Sequence, residues 1–294
     1  PLIIILGPTA VGKTELSLKI AKILNTEIIS ADSMQIYKEM DIGTAKVEKS
    51  VREKIPHHMI DIITPEENFS VAEYQKKADN IINNLVNNKK VPLMVGGTGL
   101  YINALVDGFM LPDMEADDKL RKSLRNKANK YGNEYVHDIL NDIDPKLANK
   151  LHPNDLRRVI RGIEIYKITG KTKSYFKKKQ EEREPRYNAL KIALTRDREE
   201  LYQRINLRVD KMIEEGLIEE VKELKNKFNL SKTSLQALGY KEIIDYLNGK
   251  IDLDEAIRVI KRDTRHYAKK QITFFNRDEN INWFNLSNLE EKEV

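Results

Sequence analysis

The sequence predicts an α/β fold in which a parallel sheet is flanked by helices and interrupted by a helical insertion. Three observations carry this reading. Short buried-type apolar runs are separated by amphipathic segments, the pattern of strands joined by crossover helices. The first run, Leu2-Ile3-Ile4-Ile5-Leu6, passes through a glycine-bounded loop, Gly7-Pro8-Thr9-Ala10-Val11-Gly12-Lys13-Thr14, into a segment with helical spacing. From Pro112 to about Pro185 the apolar runs stop and charged helical segments take over.

The loop fits the pattern G-x-x-x-x-G-K-[ST], and it stands between a strand and a helix, where that pattern binds phosphate. Backbone N–H groups of such a loop converge on phosphate oxygens, and the helix N-terminus adds its positive dipole end. Lys13 supplies a mobile positive charge for the outer phosphate. The Thr14 hydroxyl is placed to ligate Mg2+. A core of the P-loop NTPase-like kind is therefore expected over residues 1–112 and 187–294, with the helical insertion at 113–186. The helix after the loop is expected to turn Leu16, Ile20, Ile23 and Leu24 inward.

With 294 residues, 40% of them apolar, the chain can build one large domain or a core plus a smaller module. No apolar run approaches the ~20 residues of a membrane span. The sequence opens directly on a strand, so no signal or transit peptide is expected. Cysteine is absent, so disulfides and thiolate metal sites are excluded. A cytoplasmic monomer is expected. The net charge of +5 is unevenly spread: residues 151–179 hold nine Lys/Arg against two Asp/Glu, a net +7, and the remainder is slightly acidic. A segregated basic stretch fits a polyanionic partner, and the alternative is a solvated helix face.

Along the chain, Glu27-Ile28-Ile29-Ser30-Ala31 reads as a second strand with Asp32-Ser33 at its C-terminal end, where side chains face the ligand crevice of open α/β sheets. Asp32 is thus expected near the phosphate loop; helix capping and outer-shell support of Mg2+ are its other readings. In the turn-like Met40-Asp41-Ile42-Gly43-Thr44-Ala45-Lys46, Lys46 either reaches an anion or faces solvent. His57 and His58 have no evident third ligand, which argues against a metal site. Ser70-Val71-Ala72-Glu73 has the form of a capping box opening a helix with Val71, Tyr74, Ala78, Ile81, Ile82 and Leu85 on its apolar face. Val91-Pro92-Leu93-Met94-Val95 is a further strand, with Pro92 at its start. It ends in Gly96-Gly97-Thr98-Gly99, where many NTPases carry an Asp that helps hold Mg2+. That departure weakens an ATPase reading and makes the glycines another wall of the crevice.

In the insertion, Arg121 and Arg125 are one turn apart, and Arg157 and Arg161 lie at i, i+4 with Arg158 beside them. Ala189-Leu190-Lys191-Ile192-Ala193-Leu194 resumes the sheet, and the helix after it stops at Gly216. Arg204 and Arg208 are spaced to clamp a diphosphate or, equally, to pair with Glu200 or Glu214. Gln236-Ala237-Leu238-Gly239-Tyr240-Lys241 is a turn into a short helix. The last helix is basic and leads into Gln271-Ile272-Thr273-Phe274-Phe275; Ile281-Asn282-Trp283-Phe284 forms a closing strand.

Taken together, Gly7 to Thr14, Asp32-Ser33 with Tyr37, Met40 to Lys46, Val95 to Thr98, His152 to Asp155, Gln236 to Lys241 and Lys270-Gln271-Ile272-Thr273 resemble the tRNA dimethylallyltransferase (tRNA isopentenyltransferase) family over nearly the full length. The resemblance implies transfer of a dimethylallyl group from its diphosphate to N6 of the adenosine 3′ of the tRNA anticodon, with Mg2+ as cofactor. It implies that the loop from Gly7 to Thr14 holds the dimethylallyl diphosphate, that Arg208 acts on it with Arg204 alongside, and that Asp32 is the general base. It implies tRNA anticodon stem-loop contacts from Asp32-Ser33-Met34-Gln35, Thr98, Arg121, Arg157-Arg158-Val159-Ile160-Arg161, Gln236-Ala237-Leu238-Gly239-Tyr240-Lys241 and Lys269-Lys270-Gln271-Ile272-Thr273-Phe274-Phe275-Asn276. Gln236 and Lys241 stand where some members have arginine. Two rivals remain at this point. A P-loop enzyme acting on free nucleotides does not explain two separated basic, aromatic stretches. A nucleotide-switched RNA-binding protein would need a metal-holding strand-end Asp.

Overall fold

The computed structural model describes residues 1–109, 114 and 116–288. Residues 1–106 and those from 187 onward form one compact unit, and residues 107–186 form another. The expected boundary at 112 and 113 lies outside the described residues.

The first unit begins with β1 (Leu2–Leu6), α1 (Lys13–Ile23), β2 (Ile28–Ala31), α2 (Lys49–Lys54), β3 (His57–His58), α3 (Val71–Asn87), β4 (Leu93–Gly96) and α4 (Gly99–Val106). The helical unit holds α5 (Asp118–Tyr131), α6 (Asn133–Ile143), α7 (Pro145–Ala148), α8 (Leu156–Thr169) and α9 (Lys173–Glu181). The first unit then resumes with β5 (Ala189–Thr195), α10 (Arg198–Glu214), α11 (Leu217–Lys227), α12 (Tyr240–Leu247), α13 (Leu253–Phe275) and β6 (Ile281–Asn285).

The six strands form one sheet in the order β3-β2-β4-β1-β5-β6, and every pairing is parallel. Leaving β1, the chain skips a place to build β2, and β4 later fills the gap. The loops after β1, β2 and β4 therefore open at one edge of the sheet, where parallel sheets form ligand crevices. Alternation sorts the core. Ile4, Leu6, Ile29 and Met94 pack with Tyr74, Ile82 and Ile102 of α3 and α4. Ile5, Ile28, Leu93 and Leu194 pack on the other face with Leu16, Leu201 and Ile205 of α1 and α10. Such two-sided burial is what continuous apolar strands demand. A satellite core joins α10 to α13 through Val209, Leu217, Val221, Tyr240 and Ile260 with Ile36 and Met40.

The capping box is present: the Glu73 N–H donates to Ser70 Oγ at 3.1 Å and the Ser70 N–H to the Glu73 carboxylate at 2.8 Å. Of the face of α1 expected inward, Leu16 and Ile20 pack in the core while Ile23 and Leu24 do not. Leu16, Ser17 and Ala21 are buried, while Ile23 is 81% exposed. That stripe is centred about a quarter turn from Ile23, and Leu24 is already the C-cap beyond the last turn. The helical unit has its own core of Leu124, Ala128, Val136, Leu140, Val159, Ile160 and Ile163. No described helix is long and apolar enough to cross a membrane.

Candidate active site

The loops after β1, β2 and β4, with α10 and α13, line a cavity of about 470 Å³, a size suited to a small-molecule ligand. The loop after β1 owes its shape to left-handed backbone at Ala10 (φ 63) and Gly12 (φ 116). Gly7 is required at its entry, because a Cβ there would stand 2.5 Å from the Leu194 carbonyl oxygen.

Lys13 curls back over this loop and donates to the carbonyls of Gly7 (2.9 Å) and Pro8 (2.7 Å). Burial of its ammonium, then repulsion from Arg208, brings its pKa down to about 7, with Asp32 opposing. Arg208 is likewise lowered by burial, and again Asp32 opposes. The three charges thus share one poorly solvated space. Arg204 donates through Nε to the Ala10 carbonyl at 2.9 Å. Glu200 is not its hydrogen-bond partner, since that carboxylate accepts from Arg196 and Ser287. Arg204 and Arg208 both line the cavity.

Asp32 lies at the end of β2. Its Oδ1 accepts the N–H groups of Met34 (2.8 Å) and Gln35 (3.3 Å), so the carboxylate both caps its own turn and faces the cavity. No hydrogen bond among the described residues engages Oδ2. Thr98, after β4, accepts the Ser33 N–H at 3.1 Å and ties the two strand ends together. Gln35 accepts from the Ser30 hydroxyl and donates to the Thr44 carbonyl.

Gln271 of α13 closes the cavity floor. Its side chain donates to the Gly97 carbonyl at 2.9 Å and accepts the Thr9 N–H at 3.0 Å, joining the two glycine loops. A Cβ on Gly97 would lie 2.1 Å from that amide, which is why glycine stands there.

Three residues at the site escaped the sequence reading. Arg196 holds the loop from below, donating to the Val11 carbonyl at 3.0 Å. Its place at the C-terminal end of β5 was the available signal. Tyr267, one turn before Gln271, lines the cavity; burial and then Asp32 push its hydroxyl up to about 12, against a hydrogen bond with Thr98. Glu220 of α11 accepts the N–H groups of Asp41, Ile42 and Gly43 together with the Tyr240 hydroxyl, and so fixes the 40–46 turn. Nothing local marks it.

Lys46 corrects both of its expected roles. Its side chain is 2% exposed, and its ammonium binds Asp41, Asp61 and the Tyr37 carbonyl. Its charge is consumed inside the protein. His57 bonds the Ile55 carbonyl and His58 bonds Glu27. No group of three or more His, Asp or Glu suited to a metal occurs among the described residues. Thr14 is exposed at the cavity with no hydrogen bond to its hydroxyl among them, and Asp32 lines the same space. This donor set fits Mg2+ held mainly by ligand phosphates and water, which is that ion's usual habit.

The remaining residues fall elsewhere. Gln236 to Lys241 form a 3-10 turn and the start of α12, with Ala237 and Tyr240 buried in the satellite core. Around Gln271, Lys269, Lys270, Thr273 and Asn276 are exposed, while Phe275 is buried. In the helical unit Arg157 and Arg158 are exposed, but Val159 and Ile160 are core residues, so the basic face there is made of arginines alone.

A parallel sheet, a G-x-x-x-x-G-K-[ST] loop after its central strand and half-buried cations over that loop define a P-loop-type α/β protein. The IPP transferase family model matches residues 35–278. The tRNA dimethylallyltransferase of Halothermothrix orenii is 61% identical over 100% of this chain and 90% of that one. The tRNA dimethylallyltransferase of Carboxydothermus hydrogenoformans is 54% identical over 96% of this chain and 91% of that one. Among solved structures, the full-length tRNA isopentenylpyrophosphate transferase of Bacillus halodurans is similar with a TM-score of 0.73 at 46% identity, covering 99% of this chain and 91% of that one. A eukaryotic dimethylallyltransferase acting on tRNA is similar with a TM-score of 0.81 at 30% identity, covering 99% and 75%. The chain belongs to the tRNA dimethylallyltransferase family.

Proposed function

We propose that this protein transfers the dimethylallyl group of dimethylallyl diphosphate to N6 of the adenosine 3′ of the tRNA anticodon and releases diphosphate. The observation that carries the reading is the opposition of charges across one cavity: Lys13 and Arg208 on the phosphate-loop side, and the Asp32 carboxylate at the end of β2.

An exocyclic adenine amine is a poor nucleophile, because its lone pair is delocalised into the ring. Both ends of the displacement need help. As the C1–O bond breaks, negative charge grows on the departing diphosphate, and Lys13, Arg208 and the loop N–H groups are set to receive it. Mg2+, held by Thr14 and the diphosphate, would supply further charge neutralisation there. As the N6–C1 bond forms, the nitrogen becomes positive; Asp32 accepts a hydrogen bond from N6–H, orients the amine and takes its proton. Allylic C1 tolerates cationic character, so assistance to the leaving group carries much of the barrier. The acceptor base leaves the anticodon-loop stack to enter the cavity, which single-stranded loops permit at small cost. The basic helical unit supplies the electrostatic attraction for RNA.

Incubation with labelled dimethylallyl diphosphate and unmodified tRNA, and in parallel with AMP, tests the reading. Label on the anticodon-adjacent adenosine of tRNA is expected; label on AMP alone would transfer the activity to free nucleotides.

A further inference from the structure

The helical unit contains a carboxylate that solvent does not reach. Glu164, on α8, is 0% exposed. Its Oε1 lies 2.8 Å from Arg121 Nε as an ion pair and accepts the Asp117 N–H at 2.9 Å. Its Oε2 accepts a second Arg121 nitrogen at 3.0 Å and Arg161 at 2.6 Å. Arg121 therefore faces both carboxylate oxygens, hydrogen-bonded to one and ion-paired with the other, and charge-assisted contacts of this kind hold a guanidinium in place. Arg121 and Arg161 keep 28% and 35% of their side chains exposed, and each guanidinium has donors left over. Burial alone would raise the Glu164 carboxyl, but the two arginines prevail and hold it below the usual glutamate range.

Other arginines of α8 are not fixed in this way. Arg157 has no carboxylate partner among the described residues, and Arg158 pairs with Asp155 while 67% exposed. An apolar residue would fill the same interior position without desolvating a charge. The ion triad therefore fixes direction at the expense of field, since one negative charge sits beneath two positive ones.

We propose that Glu164 is a positioning residue for RNA, locking Arg121 and Arg161 side by side so that their outward N–H groups make a rigid fork for backbone phosphates. This rests on tRNA being the substrate. It carries an unusual sign. By charge alone, removing a carboxylate beside a basic surface should tighten RNA binding. By positioning, the same change should weaken productive binding.

The test is Glu164→Gln, assayed for kcat and for KM of tRNA at saturating dimethylallyl diphosphate, with heparin affinity and thermal unfolding measured alongside. KM for tRNA is expected to rise roughly tenfold or more, the effect of misplacing one or two charge-assisted hydrogen bonds, with kcat within about twofold and heparin affinity unchanged or tighter. An unchanged or lower KM in a folded variant overturns the proposal. Should Glu164→Gln fail to fold, Arg121→Lys and Arg161→Lys keep both the charge and the Glu164 partner while removing the fork. Each is then expected to raise KM with heparin affinity retained, and an unchanged KM in both overturns the proposal. A wild-type protein that prenylates no tRNA would instead strike the functional reading and this proposal with it, so the two failures are distinguishable.

Discussion

Lys13 and Arg208 have no carboxylate bonded to them among the described residues, whereas Arg121 and Arg161 share a buried one. In the cavity, two cations are held half-buried, and Arg208 is close enough to depress the pKa of Lys13. Asp32 and the loop carbonyls offset only part of their desolvation, so the diphosphate of the proposed function would gain more there than from the same charges in water. In the helical unit the compensation is built in, and the surface offers fixed geometry more than field. Under the proposed function the contrast gives charge neutralisation to the cavity and directed phosphate contacts to Arg121 and Arg161.

Lys13→Ala breaks the cavity side of this contrast and is expected to have the largest effect. Single-turnover prenyl transfer should fall by roughly two or more orders of magnitude. The fold should persist, because Lys13 bonds only carbonyls of its own loop. Thermal unfolding and single-turnover rates check both statements.

The pH dependence of diphosphate affinity sharpens the comparison. Free Lys13 titrates at about 7, and a bound diphosphate raises that value. Above pH 7 binding must therefore take up a proton, and affinity should fall by about tenfold per pH unit until the bound-state pKa is reached. Calorimetric titration with inorganic diphosphate in two buffers reads the net proton exchange, and Lys13→Ala should remove the uptake that Lys13 contributes, leaving that of the diphosphate itself. For the unliganded fold the sign is the reverse. Between about 7 and 10.5 the unfolded lysine keeps a proton that the folded one has lost, so the contribution of Lys13 to stability improves as pH rises through that window.

The smallest expected effect lies in the helical unit. Replacing Arg157 and Arg158 by Ala should leave the rate at saturating tRNA intact. It should flatten the log–log salt dependence of tRNA binding by roughly 0.7–0.9 for each phosphate no longer neutralised. A slope unchanged in the double variant would make this face merely solvated.

What could be read from the sequence was whatever is local. The strand, loop and helix around Gly7 to Thr14 are contiguous, as are the Ser70 capping box and the stop at Gly216, and each appears where residue pattern put it. Asp32 could be placed at a strand end because a short apolar run breaking into Asp-Ser marks where a buried strand stops. Long-range pairing left no such trace. Lys46 reads as a surface lysine until Asp61 is brought to it, and Gln271 reads as one residue in a basic run until α13 carries it to Thr9 and Gly97. The two-residue β3 and the short α2 carry too little periodicity to be called from pattern. Glu164 and Glu220 look like helix-surface glutamates in one dimension. Their roles depend on which cations and N–H groups the fold places around them.

The central claim, that the cavity serves both ends of one displacement, is tested most directly at Asp32. Asp32→Asn keeps the side-chain shape and the oxygen that caps Met34, but a neutral amide neither accepts the proton nor stabilises a positive nitrogen. Single-turnover prenyl transfer at saturating tRNA and dimethylallyl diphosphate, titrated with Mg2+, should be ~10²–10⁴-fold slower at every Mg2+ concentration, with tRNA affinity largely retained. Recovery of the wild-type rate at high Mg2+ would contradict the account and make Asp32 an outer-shell support for the metal instead.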